Sequence, residues 1–244
     1  MGATDRASAP RPPIWAYGSA PDPVLNRGRI VEAAIAIADD EGIDALSMRR
    51  LAGAMGVGTM SLYRHVPNKD DLLGLMNDAL LGERELPAAP SDDWRADLRL
   101  VGRHRRAVAL RHPWWIRIAI GRPPIGPNAL RLSEFALSTL DRFGLDMTTM
   151  QALVNTVNAY VMGAVGEDLA EAEVIRRTGV SEEQWQQSLI PWAERLVADG
   201  RHPMTARFIA DAEHWDDDRS FEFGLERVLD GVAAVLTVER PSSA

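Results

Sequence analysis

Residues 45 to 69, ALSMRRLAGAMGVGTMSLYRHVPNK, contain no Asp or Glu, although the chain carries a net charge of −8; the same window holds Arg49, Arg50, Arg64 and Lys69. Four fixed cations on a stretch free of acid suit phosphate, and side chains such as Arg, Thr and Ser can read base edges. The local spacing says how they would be carried. Ser47 is a good N-cap ahead of Met48, Leu51, Ala52 and Met55, which recur at helical intervals. Gly56 suits the positive-φ position that stops a helix, and a second, shorter helix starts near Gly58 or Thr59, turns Leu62 and Val66 inward and ends at Pro67. Its other face presents Thr59, Met60, Ser61, Tyr63, Arg64 and His65. Small Ala52 lets the two helices cross closely, as a helix-turn-helix requires. On these residues alone, an ordinary helical hairpin with a solvated basic face competes evenly with a DNA reader.

The flanks supply the elements that would position this pair. RGRIVEAAIAIADDEG sets Ile30, Ala33, Ala34, Ile37 and Ala38 on one face and closes at Gly42. Asn68 caps a following helix with Asp70 and Asp71 in its first turn and Leu72, Leu73, Met76, Ala79 and Leu80 on its buried face. No alternating apolar and polar run appears, so the whole chain is expected to be all-α.

The stretch IVEAAIAIADDEGIDALSMRRLAGAMGVGTMSLYRHVPNKDDLL resembles, without a gap, the DNA-binding domain of the tetracycline-repressor (TetR) family. VMGAVGEDLAEAE and FEFGLERVLDGVAAVL resemble the tetracycline-repressor type of C-terminal domain. The resemblance implies a three-helix N-terminal helix-turn-helix domain plus a larger helical ligand-binding and dimerisation domain. It implies a one-component regulator, by default a repressor, that binds a palindromic double-stranded DNA operator as a homodimer and is released by a small-molecule effector. Arg49, Thr59, Met60 and Ser61 are then expected at base edges, with Ser47 beside them; Tyr63, His65 and Lys69 match positions that hold phosphates in the family. A core role for Tyr63 and a solvated one for Arg64 stay open.

Three regions follow. Residues 1–25, with Pro10, Pro12, Pro13, Pro21 and Pro23, read as a flexible arm, in which Arg6 and Arg11 could reach DNA while Trp15 and Tyr17 pack on the first helix or the other domain. The DNA-binding domain spans 26–85, and ELPAAPSDD marks a break before a helical domain at 92–240. Helical segments are expected near 94–111, 113–120, 127–143, 146–177, 181–199 and 219–238, with GRHPMTARFIADAEHWDDD a loop or short helix.

Effector chemistry is sparser. Asn155 and Asn158 lie three apart among Val154, Val157, Val161 and Met162, so their amides either bridge helices or orient a ligand. Between Asp97 and Glu134 stand eight arginines and no acid; Arg105 or Arg117 is a candidate to line a cavity with Trp114 and Trp115, the others pairing with DAEHWDDD or solvent. The expected ligand set is Arg105, Trp115, Val154, Asn155, Asn158 and Met162. Glu167 and Asp168 match the acidic pair that helps hold magnesium around tetracycline in the family's namesake, but Ala119 falls where the resemblance wants a metal-binding histidine, so no metal and no cofactor are expected. Phe221, Leu225, Val228, Leu229, Val232 and Val235 form an apolar stripe with Gly224 and Gly231, and the resemblance implies a four-helix subunit interface.

Other classes lack support. The five histidines form no HExxH motif, only Asp211 with His214 has suggestive spacing, and no phosphate-binding glycine loop or GxSxG is present, so an enzyme is not expected. A helical protein-binding adaptor would leave the acid-free window unexplained, and a ligand-dependent activator is the alternative mode of regulation. With no Cys, no signal-peptide core and no apolar run near the roughly 18 residues of a membrane span, a cytoplasmic location is expected.

Overall fold

The computed structural model describes residues 12–16, 25–120, 125–198, 200–213 and 215–238. Every regular element among them is helical: α1 Arg27–Glu41, α2 Met48–Met55, α3 Thr59–His65, α4 Lys69–Leu81, α5 Trp94–Arg111, α6 Ile116–Ala119, α7 Pro127–Asp141, α8 Met147–Thr178, α9 Glu182–Val197, α10 Pro203–Asp211 and α11 Asp217–Val238. The irregular segment after α9 therefore carries a short helix. Short 3-10 turns occupy Ile14–Ala16 and Pro113–Trp115.

Two compact units emerge, one from residues 1–90 and 107–138, the other from 91–106 and 139–244. The first unit follows its local signals. The Asn26, Ser47 and Asn68 side chains accept from the amides of Arg29, Arg50 and Asp71 at 3.0, 3.1 and 2.8 Å, which satisfies donors that the first helical turns leave open. Gly56 takes the left-handed conformation at φ 67°, and the Val57 amide returns to the Ala52 carbonyl at 3.0 Å. These fixed ends aim the apolar stripes inward, so Ile30, Ala34, Leu51, Leu62, Val66, Leu72, Met76 and Leu80 are all buried. Each such large side chain contributes about 1.5–3 kcal/mol.

The first unit also takes in residues 107–138, which the sequence break at 85–93 assigned to the second domain. Specific polar contacts hold them. The His112 ring lies between carboxylates, Nδ1 2.7 Å from Asp39 and Nε2 3.1 Å from Glu83, while the Trp114 indole donates to Asp39 at 2.7 Å. Trp115 is fully buried and donates to Asn77 at 2.7 Å. Asp78, whose carboxyl burial pushes upward, accepts from the Ala129 amide at 2.9 Å and so caps α7. Part of the expected arm is packed too: Ile14 is buried, and the Trp15 ring reaches within 3.5 Å of where a Cβ on Gly74 would stand. Arg6, Arg11 and Tyr17 lie outside the described residues.

In the second unit the first part of α5 pairs with α11 through charge. Arg95 and Arg99 reach Glu226 at 3.1 and 2.6 Å, Arg103 reaches Glu222 at 2.7 Å, and Arg106 reaches Asp218 at 2.6 Å. Arginines three or four apart thus meet acids four apart on an antiparallel neighbour, and Arg99, with Arg95, holds the Glu226 carboxyl below its ordinary range. Only Asp218 of this ladder belongs to the segment expected to pair with the arginines. Beneath it Phe221, Leu225, Leu229, Val232 and Leu236 are buried, so the α11 stripe is core on that side. Gly224 fits because a Cβ there would lie 2.2 Å from the Tyr160 hydroxyl, which donates to the Phe221 carbonyl at 2.8 Å. Gly224→Ala should cost about 1–3 kcal/mol through this overpacking, read as a lower midpoint in thermal unfolding; an unchanged midpoint would show that Tyr160 yields freely.

Candidate nucleic-acid interface and ligand site

The α2–α3 pair presents its side chains as the acid-free window predicts, with one exception. Arg49 is exposed on the first turn of α2, and Met60, at the start of α3, is 77% exposed between half-buried Thr59 and Ser61. Tyr63 is exposed on the same helix, and Lys69 is exposed at the start of α4. The Ser47 oxygen is spent on the Arg50 amide, which leaves its hydroxyl proton free to donate outward. Arg50 is taken by Glu41, with Nε 3.1 Å from the carboxylate, so it adds little to the positive surface. Arg64 donates to the Ser61 hydroxyl at a long 3.5 Å. Among the described residues, no ion pair draws Arg49, Arg64 or Lys69 away from solvent.

The exception is His65. It is 5% exposed, its Nδ1 is buried without a partner, and its carbonyl accepts from Arg27 Nε at 3.1 Å. It therefore lies inside with Leu62 and Val66, not on the face with Tyr63. Three residues after Leu62, it shares that inward face, which corrects its expected place beside Tyr63. Arg27, which ties α1 to the end of α3, was not singled out in the sequence; nothing but its position before the first apolar stripe pointed to it.

The expected ligand residues divide. Asn158 is half-buried on α8, and its Oδ1 is buried with no hydrogen-bond partner. Arg105 is half-buried on the face of α5 shared with buried Leu98, Val101 and Val108, and burial lowers its pKa to about 10. An unpaired amide oxygen and a desolvated guanidinium are costly unless something else completes them. Val154 and Met162 are half-buried beside Asn158 on α8. Asn155, in contrast, is exposed and accepts from Gln151 at 2.9 Å. Trp115 belongs to the core of the first unit, and Trp114 is buried there too. Arg117 is exposed and paired with Asp44 at 2.7 Å, which removes it as a cavity residue.

For the acidic pair on α8, Asp168 lies 3.4 Å from Arg106 and Glu167 is exposed. Ala119 offers a methyl group where a metal ligand would be needed, and the described residues contain no cluster of three His, Asp or Glu placed to hold an ion. Asp211 is described but His214 is not. No helix among the described residues is long and apolar enough to cross a membrane.

Comparison with known proteins agrees with this geometry. A family described as "Bacterial regulatory proteins, tetR family" matches residues 30–76, and one described as "Tetracyclin repressor-like, C-terminal domain" matches residues 86–236. The chain is 40% identical over 236 residues to the HTH-type transcriptional repressor DrrR1 of Streptomyces coeruleorubidus, covering 95% of this chain and 87% of that protein. Its fold is similar to that of apo ActR from Streptomyces coelicolor, with a TM-score of 0.75 and 33% identity over 89% of this chain and 99% of ActR. ActR in complex with actinorhodin is similar at a TM-score of 0.74, again with 33% identity and the same coverage of both chains. An exposed, acid-free helix-turn-helix followed by a helical domain of this type makes the chain a member of the TetR family of DNA-binding transcriptional regulators.

Proposed function

We propose that the chain is a repressor that binds a palindromic operator as a homodimer in the cytoplasm, performs no catalysis, and is released by a small molecule held in its second domain. The observation that carries the reading is the acid-free face on which Arg49, Met60, Tyr63 and Lys69 all meet solvent. Arg49, Thr59, Met60 and Ser61 address base edges, with Ser47 beside them, while Tyr63 and Lys69 hold phosphates. His65, being buried, acts on this face chiefly through packing.

Support for a dimer comes from α11. Its inner stripe is consumed by the chain's own core, yet Val228 and Val235 stay half-buried and Phe223 is 50% exposed on other sides. A Cβ at Gly231 on α11, or at Gly163 on α8, would meet no atom within 4 Å, so both glycines leave room for close approach of another helix. For the effector, Arg105 and Asn158 favour an apolar body carrying an anionic or hydrogen-bonding group, with Val154 and Met162 as wall. Actinorhodin, bound by ActR, is the first compound to test. Release requires that it bind the DNA-free form more tightly, and operator must then weaken its binding by the same factor.

The test is selection of DNA from a random pool, with sedimentation of the complex. The reading expects an inverted repeat with half-sites about one helical turn apart or somewhat more, and a protein of about twice the 26.8 kDa chain mass on it. Recovery of no preferred sequence, or a monomer at micromolar concentration, would overturn it.

A further inference from the structure

Of the helix-turn-helix pair, α3 is the less self-supporting member. It has seven residues, and Gly58 at its start supplies no side-chain cap, whereas Asn26, Ser47 and Asn68 cap α1, α2 and α4. A helix of about two turns does not persist by its own hydrogen bonds. Its placement comes from what it packs on, and its buried side chains are Leu62 and His65. Leu62 is an apolar contact without direction, and the buried Nδ1 of His65 has no hydrogen-bond partner.

A directed contact does exist at the far end of α3. The carbonyls of a last helical turn lack partners within the helix and carry its negative dipole end. One of them, the His65 carbonyl, accepts from Arg27 Nε at 3.1 Å across 38 residues of sequence. A guanidinium donor makes this a charge-assisted bond, stronger than a neutral one. Arg27 is placed to hold α3 rather than to follow it. It is the first residue of α1, whose start is fixed by the Asn26 cap on the Arg29 amide, with Leu25 before it and Ile30 after it both buried. The tie therefore joins a core-anchored helix start to the end of α3 opposite Thr59, Met60 and Ser61.

We infer that Arg27 is a positioning residue for sequence reading: it fixes the His65 end of α3, and so sets the angle at which Thr59, Met60 and Ser61 meet base edges, without touching DNA itself. This role rests on the reading of α3 as the helix that addresses bases. Hydrogen bonds to base edges need distances of about 2.7–3.2 Å and near-linear geometry. A small tilt of α3 spoils them, while the general attraction to phosphate survives. Arg49 stands on α2 under its own Ser47 cap, so its base contact does not depend on the tie.

Three substitutions separate positioning from direct contact. Arg27→Met keeps the stem and has no donor. Arg27→Gln puts an amide N–H one bond beyond Cδ, where arginine has Nε, but carries no charge; Arg27→Lys keeps the charge and moves the donor. Each is titrated with a panel of single-base operator variants at two salt concentrations. Arg27→Met should lose about tenfold on the preferred operator, lose discrimination at the base pairs read by α3 but not at the one read by Arg49, and keep the parent's salt slope. Arg27→Gln should return to within about threefold of the parent with its preference restored, ahead of Arg27→Lys. The reverse order, lysine near the parent and glutamine with a salt slope lower by about one, would make Arg27 a phosphate contact and overturn the inference. So would a methionine variant that reads like the parent, or one that loses equally at every base pair without rescue by glutamine, as general loss of fold stability produces. If Arg27→Met does not fold, the order of glutamine and lysine decides alone. A parent chain with no preference at any base pair would overturn the reading of α3 itself, and the role of Arg27 with it.

Discussion

Trp115→Ala is expected to destabilise the first unit strongly. The side chain is fully buried, and its indole N–H is satisfied by Asn77 on α4, itself only 6% exposed. Removing it opens a cavity worth about 3–5 kcal/mol and leaves the Asn77 oxygen without its donor, about 1–3 kcal/mol more. Against a usual total of about 5–15 kcal/mol, that is a large share. Thermal unfolding followed by circular dichroism should show a midpoint lower by roughly 10 °C or more. Trp115→Phe keeps most of the volume and loses only the hydrogen bond, so its loss should stay near the second figure alone. Because α4 begins at Lys69, directly after the α3 helix, the alanine variant should also bind DNA less well at temperatures where it is still folded. A midpoint within about 2 °C of the parent would show that Trp115 does not anchor α4.

The parts of the molecule that were readable in advance depend on neighbours in sequence. Ser47, Gly56 and Asn68 act within three or four residues of themselves, so cap, stop and cap could be recognised from residue type. The charge ladder was partly legible: acids at 218, 222, 226 and 230 recur every fourth residue, but only the fold matches them with Arg95, Arg99, Arg103 and Arg106. The His112 bridge was not legible. Its partners Asp39 and Glu83 lie 73 and 29 residues away, and no periodicity connects them. The same long contacts draw residues 107–138 into the first unit, beyond the break at 85–93.

Within the site, two positions turned out differently from their expected places. His65 was expected on the outward face with Tyr63, by pattern and by family likeness alike, yet three residues after Leu62 it turns inward on a seven-residue helix and is buried. Asn155 and Asn158 looked equivalent at spacing three, yet rotation along α8 turns one amide to solvent and the other inward. Exposure on a half-buried helix changes within a single turn, and sequence spacing alone does not fix which amide faces in.

The exposed cations divide by geometry, and the division predicts the second large effect. Arg49, exposed at the start of α2, is suited to a bidentate contact with the guanine acceptors, worth about 1–3 kcal/mol of discrimination. Arg49→Ala should therefore lose roughly ten- to hundredfold on the preferred operator and far less on operators altered at that one base pair. Lys69, exposed at the start of α4, is proposed to hold phosphate. Lys69→Ala should weaken every operator alike and lower the slope of log affinity against log salt by about one.

A titration of both variants against a panel of single-base operator changes, repeated at two salt concentrations, measures this most directly. The account predicts a base-specific loss for Arg49→Ala and a uniform, salt-linked loss for Lys69→Ala. Parallel losses across the panel, or full binding by both variants, would contradict the assignment of the acid-free face to DNA reading.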